Sequence, residues 1–273
     1  KVNENPLVLT NEIKRNPRWD KFDPELATRL AGLSNAAYSS GKAFVHKLRT
    51  LGMDDWKYEF MTKDNAQCYV VWSDKEKEIY VAWRGTEPGE YKDVLADLKI
   101  KKVLNFDGLK VHRGFKGYVD KLYDQVESRV ERVIKGKWFK IFVTGHSLGG
   151  ASALICTNRL ESKFHVEACY TYGAPRPGSW KYAYSFKTPV FRVRNNNDLV
   201  TKVPLMLLGY KHVGSLVYID RHGVLRTGKV KFVTLLKNWF WGQFQRLGDG
   251  LRDHSIGEYC MHLKNAERIH KED

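Results

Sequence analysis

One segment of the chain combines a candidate nucleophile with the neighbours that such a residue needs. Residues 139–153 read FKIFVTGHSLGGASA, where an apolar run precedes Gly145-His146-Ser147-Leu148-Gly149 and small residues follow it. A serine at a sharp turn between a strand and a helix exposes its hydroxyl, and the next backbone N–H faces the oxyanion formed in acyl transfer. Side chains at 145 and 149 would collide in so tight a turn, which favours glycine there. The pattern therefore predicts Ser147 as a nucleophile, with the N–H of Leu148 as one oxyanion donor.

A serine nucleophile needs a base, and the base needs a carboxylate that fixes its tautomer. Asp198 follows a predicted strand in FRVRNNND, on a loop from which a catalytic acid can reach the base. Asp220 is the alternative acid, but it abuts a predicted Arg-His-Gly turn and is expected to serve that turn. Loop placement therefore favours Asp198 over Asp220.

The base is expected among the five histidines that follow Ser147, namely His212, His222, His254, His262 and His270. His254 lies in LRDHSIGEY, directly before a predicted C-terminal helix, where it would be held firmly and still face a cleft. His212 precedes a strand and is expected to be a structural hydrogen-bonding residue, while His262 falls within the helix and His270 in a charged tail. Spacing alone favours His254 only modestly.

Apolar periodicity predicts the elements that must position these residues. Strands are predicted at 67–73, 78–83, 139–143, 166–172 and 189–194, with a hairpin at 213–219 and 224–226. Helices are predicted at 24–38, 116–134, 150–161, 179–186 and 231–247, and at the C-terminus. Strands that alternate with helices indicate an α/β fold, in which helices flank a mostly parallel sheet with an antiparallel N-terminal edge. Because the chain shows no linker and no repeat, residues 1–273 are predicted to form a single domain.

Composition limits the partners and the location of the protein. The chain has 46 Lys+Arg and 31 Asp+Glu, a formal net charge of +15. Such a charge attracts nucleic acid or anionic lipid, but no nucleic-acid recognition motif is present, so we expect no nucleic acid partner. The four cysteines lack metal-ligand spacing and are expected to be buried free thiols. No stretch approaches the ~20 apolar residues of a membrane span, so we expect a soluble protein that is secreted or membrane-peripheral, with export left open.

Several ordered blocks of the chain together resemble the class 3 (fungal-type) lipases, from about Tyr69 to Tyr259. The blocks are YVAWRGT at 80–86, VLADL at 94–98, VHRGF at 111–115, VTGHSLGGASA at 143–153, YTYGAPRPG at 170–178, RVRNNNDLVTKVP at 192–204, YKHVGSLVYI at 210–219 and DHSIGEY at 253–259. The resemblance implies an α/β-hydrolase fold, with Ser147 as nucleophile, Asp198 as acid and His254 as base. Residues 1–65 match weakly, and their amphipathic pattern predicts packing helices.

The resemblance also implies roles for residues between the strand at 78–83 and the nucleophile. Thr86 would supply the second oxyanion donor through its backbone N–H, since the other donor of such sites comes from an earlier strand's loop. Asp97 and His112 would support this region without taking part in the chemistry. Residues 87–104 would form a short lid, although an ordinary amphipathic surface helix is the alternative there.

Residues 221–252 hold seven Lys/Arg and one acidic residue, Asp249. An aromatic and aliphatic stripe runs through residues 232, 235, 236, 239, 240 and 247 at helical spacing. A basic helix with Trp and Phe is typical of membrane-surface binding, but the same stripe could pack on the sheet. The sequence leaves both interpretations open.

The leading functional hypothesis is a carboxylic-ester hydrolase, a lipase that cleaves the acyl esters of glycerolipids through an acyl-enzyme. Such a mechanism needs no cofactor and no metal, and we expect a monomer with peripheral contact to anionic membranes. A phospholipase A1-type enzyme and a carboxylesterase for soluble esters are the alternatives. A basic membrane-binding module on an inactive hydrolase scaffold is the non-enzymatic alternative, which the presence of Ser147, Asp198 and His254 disfavours.

Overall fold

The fold is described from a computed structural model, which covers residues 22–87, 101–226 and 252–272. Several sequence predictions fall elsewhere in the chain. Most of the predicted lid at 87–104, the supporting residue Asp97 and the predicted helix at 231–247 lie outside the described residues.

A central sheet contains eight of the described strands, in the order β1-β2-β3-β6-β7-β8-β9-β10. They are β1 (Lys57–Lys63), β2 (Ala66–Ser73), β3 (Glu78–Trp83), β6 (Lys140–His146), β7 (Val166–Tyr172), β8 (Val190–Asn195), β9 (Ser215–Ile219) and β10 (Leu225–Arg226). Strands β3, β6, β7, β8 and β9 pair in parallel with one another, while β1, β2 and β10 are antiparallel to their neighbours. The predicted α/β-hydrolase class, with a mostly parallel sheet and an antiparallel N-terminal edge, is confirmed.

Helices cover both faces of the sheet. They are α1 (Pro24–Ala36), α2 (Gly41–Thr50), α3 (Arg113–Asp120), α4 (Tyr123–Ile134), α5 (Leu148–Leu160), α6 (Trp180–Ala183) and α7 (Ile256–Glu272), and a small hairpin pairs β4 (Lys102–Leu104) with β5 (Lys110–His112). One apolar cluster lies between the sheet and α3 to α6, and a second lies between the sheet and α1, α2 and α7. No helix among the described residues combines the length and apolar character that a membrane crossing requires.

The structure corrects two of the predicted elements. Within residues 1–65, which were predicted as packing helices, residues 57–63 instead form the edge strand β1, because they pair with β2 through a tight turn at Asp64-Asn65. The predicted helix at 116–134 is two helices, α3 and α4. The backbone at Leu122 leaves the helical region, with φ −125°, and the Leu122 side chain is buried in the core.

Parallel pairing brings the ends of several strands to one edge of the sheet. Trp83 at the end of β3 lies opposite Gly145 in β6, and His146 lies opposite Tyr172 at the end of β7. The ends of parallel strands are where such folds place their ligands and catalytic loops. The predicted nucleophile and acid therefore leave the sheet at this same edge, from β6 and β8.

We expect the turn at Ser147 to have no room for even a methyl group at Gly149. A Cβ at Gly149 would lie 2.2 Å from the carbonyl oxygen of Trp83, a backbone atom that the sheet holds in place. Gly149→Ala should therefore lower the free energy of unfolding by at least about 1–3 kcal/mol, as overpacking does, measured by urea denaturation. Gly117→Ala in α3 is the control, because a Cβ there meets nothing within 4 Å. It should be neutral or stabilise by about 0.5–1 kcal/mol, and an equal loss in both variants would contradict the expectation.

Candidate active site

Ser147 occupies a strained turn between β6 and α5. Its φ is +58° and its ψ is −128°, and its backbone N–H donates to the carbonyl oxygen of Tyr172 at 2.9 Å. A Cβ at Gly145 would lie 2.2 Å from the Gly149 oxygen, which is the collision across the turn that the sequence predicts. At Gly149 the obstacle is instead the neighbouring strand β3. A positive φ at a non-glycine residue costs about 1–3 kcal/mol and is retained mainly at functional sites.

His254 connects Ser147 to Asp198 through two hydrogen bonds. The Nε2 atom of His254 lies 2.8 Å from the Ser147 hydroxyl oxygen, and its Nδ1 lies 2.9 Å from Asp198 Oδ2. All three side chains are buried. Since a carboxylate only accepts, Nδ1 carries the proton and Nε2 is left to accept from the serine hydroxyl. This is the geometry of a serine poised for nucleophilic attack.

Two further groups hold the Asp198 carboxylate. The backbone N–H of Val200 donates to Oδ1 at 2.9 Å, and the Tyr259 hydroxyl donates to Oδ2 at 2.6 Å. Burial and the Asp198 charge raise the pKa of Tyr259 well above its usual value, so the phenol stays protonated and remains a donor. The Tyr259 oxygen in turn accepts from the N–H of Asn195 at 3.0 Å. Sequence reasoning treated Tyr259 only as a residue of the C-terminal helix. Its position five residues after His254 was the available signal.

Gly173, at the end of β7, makes room for the contact between Asp198 and His254. Its φ is +58°, and a Cβ there would lie 2.6 Å from Asp198 Oδ2 and 2.9 Å from His254 Nδ1. Any side chain at this position would push the acid and the base apart. The sequence shows the residue only as the first glycine of the loop GAPRPGS.

His146 holds the backbone of His254 in place. Its Nε2 donates to the backbone oxygen of His254 at 2.7 Å, and its Nδ1 accepts from the Tyr38 hydroxyl at 2.8 Å. Burial lowers the pKa of His146 well below its usual value, and a positive charge on His254 would lower it further, so the ring is neutral. Sequence reasoning did not assign a role to this residue, because the position before the serine carries no chemistry of its own in the motif.

The alternative acid and bases have other partners. Asp220 accepts from the N–H groups of His222 and Val224 at 2.9 and 3.1 Å and pairs with Arg226, so it holds the β9–β10 turn as predicted. His212 is buried with Nε2 at 2.8 Å from the Thr201 oxygen, which agrees with its predicted structural role. His262 faces Glu258 on α7 at 3.6 Å. The side chain of His270 lies outside the described part of the chain.

The candidate oxyanion donors lie beside the serine. Leu148 is the first residue of α5, and the first N–H groups of a helix have no acceptor within it. The backbone of Gly85 lies so close to the turn at Ser147 that a Cβ at Gly85 would be 2.5 Å from the His146 oxygen and 3.3 Å from Ser147 Cβ. Thr86 follows directly and is half-buried. His112 lies at the start of α3, where its Nδ1 caps the helix by accepting from the backbone N–H of Gly114 at 3.2 Å. A supporting role for His112 near the oxyanion loop stays a prediction.

The chain is similar to known lipases in sequence and in fold. A family model described as Lipase (class 3) matches residues 80–208. A lipase of Rhizopus niveus is 34% identical over 161 residues, which cover 54% of this chain and 40% of that protein. The chain thus spans about two fifths of the length of this curated relative.

Solved structures extend the similarity beyond the matched segment. A lipase of Rhizopus microsporus var. chinensis superposes with a TM-score of 0.67 at 25% identity, over 79% of this chain and 82% of that one. A triacylglycerol lipase, described as having a serine protease triad at its catalytic centre, superposes with a TM-score of 0.66 at 25% identity, over 84% and 91%.

Two buried neutral histidines should make the stability of the protein depend on pH. Burial lowers the pKa of His146 and of His212 well below 6.5, and the charges of Arg192 and Arg176 lower that of His212 further. The unfolded chain therefore binds more protons, so this stability is present above about pH 6.5 and is lost as the pH falls, by up to ~1.4 kcal/mol per pH unit and histidine.

Urea denaturation between about pH 7 and pH 5 measures this slope, because it follows the difference in bound protons. His212→Asn should reduce the slope, and His46→Asn, at an exposed position, is the matched control. A free energy of unfolding that rises on acidification would contradict the assignment.

Proposed function

We propose that this chain, which belongs to the class 3 lipase family, hydrolyses the carboxylic esters of glycerolipids. One observation carries the proposal. Ser147, His254 and Asp198 form a buried, hydrogen-bonded chain at a strained turn on the catalytic edge of an α/β-hydrolase sheet. Because the chain covers only part of the length of its curated relative, the activity rests on this site rather than on the relative's name.

The geometry supports a two-step acyl transfer. The Ser147 oxygen attacks the ester carbonyl carbon while His254 Nε2 takes the hydroxyl proton, and the carbonyl oxygen becomes the oxyanion. The N–H groups of Leu148 and Thr86 would stabilise that oxyanion. His254 then gives its proton to the leaving alcohol, and an acyl-enzyme remains. Water, deprotonated by His254, attacks the acyl-enzyme, and His254 then returns the proton to the Ser147 oxygen as the carboxylic acid leaves. Asp198 stays ionised and stabilises the imidazolium in both steps.

Several substrates could use this machinery. Triacylglycerols, phospholipids cleaved at one acyl position and small soluble esters all present the same carbonyl group, and the fold does not decide among them. The net charge of +15 favours substrates in anionic surfaces, and we propose peripheral contact with such membranes by a monomeric, secreted or membrane-peripheral enzyme. A panel of triacylglycerols, phospholipids and soluble esters would rank the three classes.

The proposal also keeps the sequence-based organisation of the chain. Residues 1–273 form one domain, residues 87–104 act as a lid, and Asp97 supports the oxyanion loop. The two apolar clusters on opposite faces of one sheet support a single domain. A fluorophosphonate that labels Ser147 would argue against an inactive membrane-binding scaffold.

The assignment of the acid can be tested with a matched pair of variants. Asp198→Asn should lower the turnover of a p-nitrophenyl ester by about 10⁴-fold, because the base then loses its tautomer partner. Asp220→Asn is the control, since this second buried aspartate holds only the β9–β10 turn. It should lower stability and leave turnover nearly unchanged.

Ser147→Ala should reduce turnover at least as strongly as Asp198→Asn. Unfolding curves for each variant separate loss of fold from loss of chemistry. Full activity in Ser147→Ala, or an equal loss in the two aspartate variants, would refute the proposed mechanism.

A further inference from the structure

Four consecutive apolar residues stand exposed in the segment that follows Asp198. Leu205, Met206, Leu207 and Leu208 form what we call the apolar tip, in which Met206 is 66% and Leu207 94% exposed. Single exposed apolar side chains are ordinary in folded proteins, but a contiguous set rimmed by polar residues marks an interaction site. Ester hydrolysis at Ser147 does not require these side chains to face water.

The apolar tip is held in place by its backbone. Residues Met206–Leu208 form a single 3₁₀ turn that ends at Gly209, whose φ is +72°. The guanidinium of Arg176 donates to the backbone oxygens of Lys202 and Pro204, the latter at 2.8 Å. The amino group of Lys102 donates to the Leu208 oxygen at 2.6 Å. The hydrogen bonds to Lys202 and Pro204, before the turn, and to Leu208, its last residue, therefore fix the orientation of the tip with its side chains exposed.

The tip rises from the same edge of the sheet as the candidate active site. Only the turn Val200–Lys202 and residues 203–204 separate the tip from the loop that carries Asp198. The Thr201 hydroxyl in this turn donates to the backbone oxygen of Asp198 at 2.8 Å. A surface that receives the apolar tip therefore meets the protein at the edge where Ser147 lies.

Lysines flank the tip, since Lys102 contacts the Leu208 oxygen and Lys202 and Lys211 lie on either side of the tip in the sequence. Lys102, Lys202 and Lys211 form what we call the basic collar. Lys102 lies over the ring of Tyr210 at 4.4 Å, and Lys211 donates to the Tyr184 hydroxyl. The carboxylates that act on the Lys202 charge are Asp198 and Asp253.

Three arginines add further positive charge behind the collar. Arg176, which binds the backbone just before the tip, is close enough to Arg192 and Arg194 for their charges to repel one another. Burial and the charges of Arg194 and Arg176 lower the pKa of Arg192 to about 9. The local field therefore attracts anions.

We propose that the apolar tip and the basic collar together dock the protein on a bilayer that contains anionic phospholipid. The tip side chains enter the acyl region, as apolar groups do at membrane interfaces, and the lysines of the collar remain among the headgroups. The charge of the collar favours this occupant over an apolar protein surface. The inference rests on the proposed function for its biological sense, because docking would present glycerolipids to Ser147, but the binding itself requires no catalysis.

The test uses Ser147→Ala protein, so that no lipid is consumed, and vesicles of phosphatidylcholine with or without phosphatidylglycerol. Sedimentation with the vesicles measures partitioning. Leu207→Ser should weaken partitioning about tenfold or more, because an exposed leucine loses its burial in the acyl region. Trp138→Ser is the matched control. Trp138 is 62% exposed but precedes β6, at the opposite end of that strand from Ser147.

The charges are tested in the same way. Lys102→Gln and Lys211→Gln should each weaken partitioning about fivefold on vesicles with phosphatidylglycerol at low salt, and far less at high salt. Lys135→Gln and Lys137→Gln are the controls, because these exposed lysines also lie ahead of β6. Thermal unfolding of each variant verifies that its fold is intact.

Unchanged partitioning in Leu207→Ser, or an equal loss in Trp138→Ser, would overturn the proposal. So would a parent protein that is dimeric and becomes monomeric with Leu207→Ser at unchanged partitioning, because the tip would then be a contact between two copies. Failure of the proposed function is a separate result. An intact Ser147 that reacts with no ester would leave the vesicle measurements standing.

Discussion

The sharp reversal of the chain at Ser147 is the constraint on which the rest of the site depends. The serine has a positive φ because β6 must end and α5 must begin within one residue. The turn fits only if Gly145 and Gly149 lack side chains, since their Cβ atoms would lie 2.2 Å from backbone oxygens of Gly149 and Trp83. One of these oxygens belongs to β3, so the register between β3 and β6 is part of the same constraint. The strain is maintained by the sheet and by the helix packed on it.

A buried network of hydrogen bonds holds Asp198 and His254 next to the turn at Ser147. Asp198 and His254 are both removed from water, and an unpaired buried charge would cost several kcal/mol. The carboxylate accepts from Val200, Tyr259 and His254, and the base is held through its carbonyl by His146. Val200 belongs to the loop of Asp198 itself, His254 and Tyr259 come from one C-terminal segment, and His146 ends β6. Asp198 and His254 are therefore positioned by tertiary structure.

Electrostatics sets two opposed demands on the edge of the sheet that carries the site. Burial, and then the charges of Arg194 and Arg176, lower the pKa of Arg192 to about 9, which acts against folding. Exposed leucines at the tip likewise give no hydrophobic stabilisation to the folded chain. Residues that cost stability without serving the chemistry are expected where a surface is kept for binding. The exposed leucines lie in the segment that connects β8 to β9, which also carries Asp198, whereas Arg192 and Arg194 lie in β8 and Arg176 in the loop after β7.

Local pattern by itself determined the main elements of this protein and the sharp turn that carries Ser147. Strands and helices with strong apolar periodicity were predicted, and the motif around Ser147 predicted the turn, because these features depend on neighbours in the sequence. The edge strand β1 was missed, since its residues alternate weakly and form a strand only through pairing with β2. Loop placement favoured Asp198 and, only modestly, His254, and the resemblance to a family implied the same two residues. Tertiary structure alone decided the contacts of Tyr259, His146 and Gly173. It alone showed that the apolar tip lies near a cluster of cations. These features join residues up to 108 positions apart, as with His146 and His254, and no periodicity within one segment can encode such a contact.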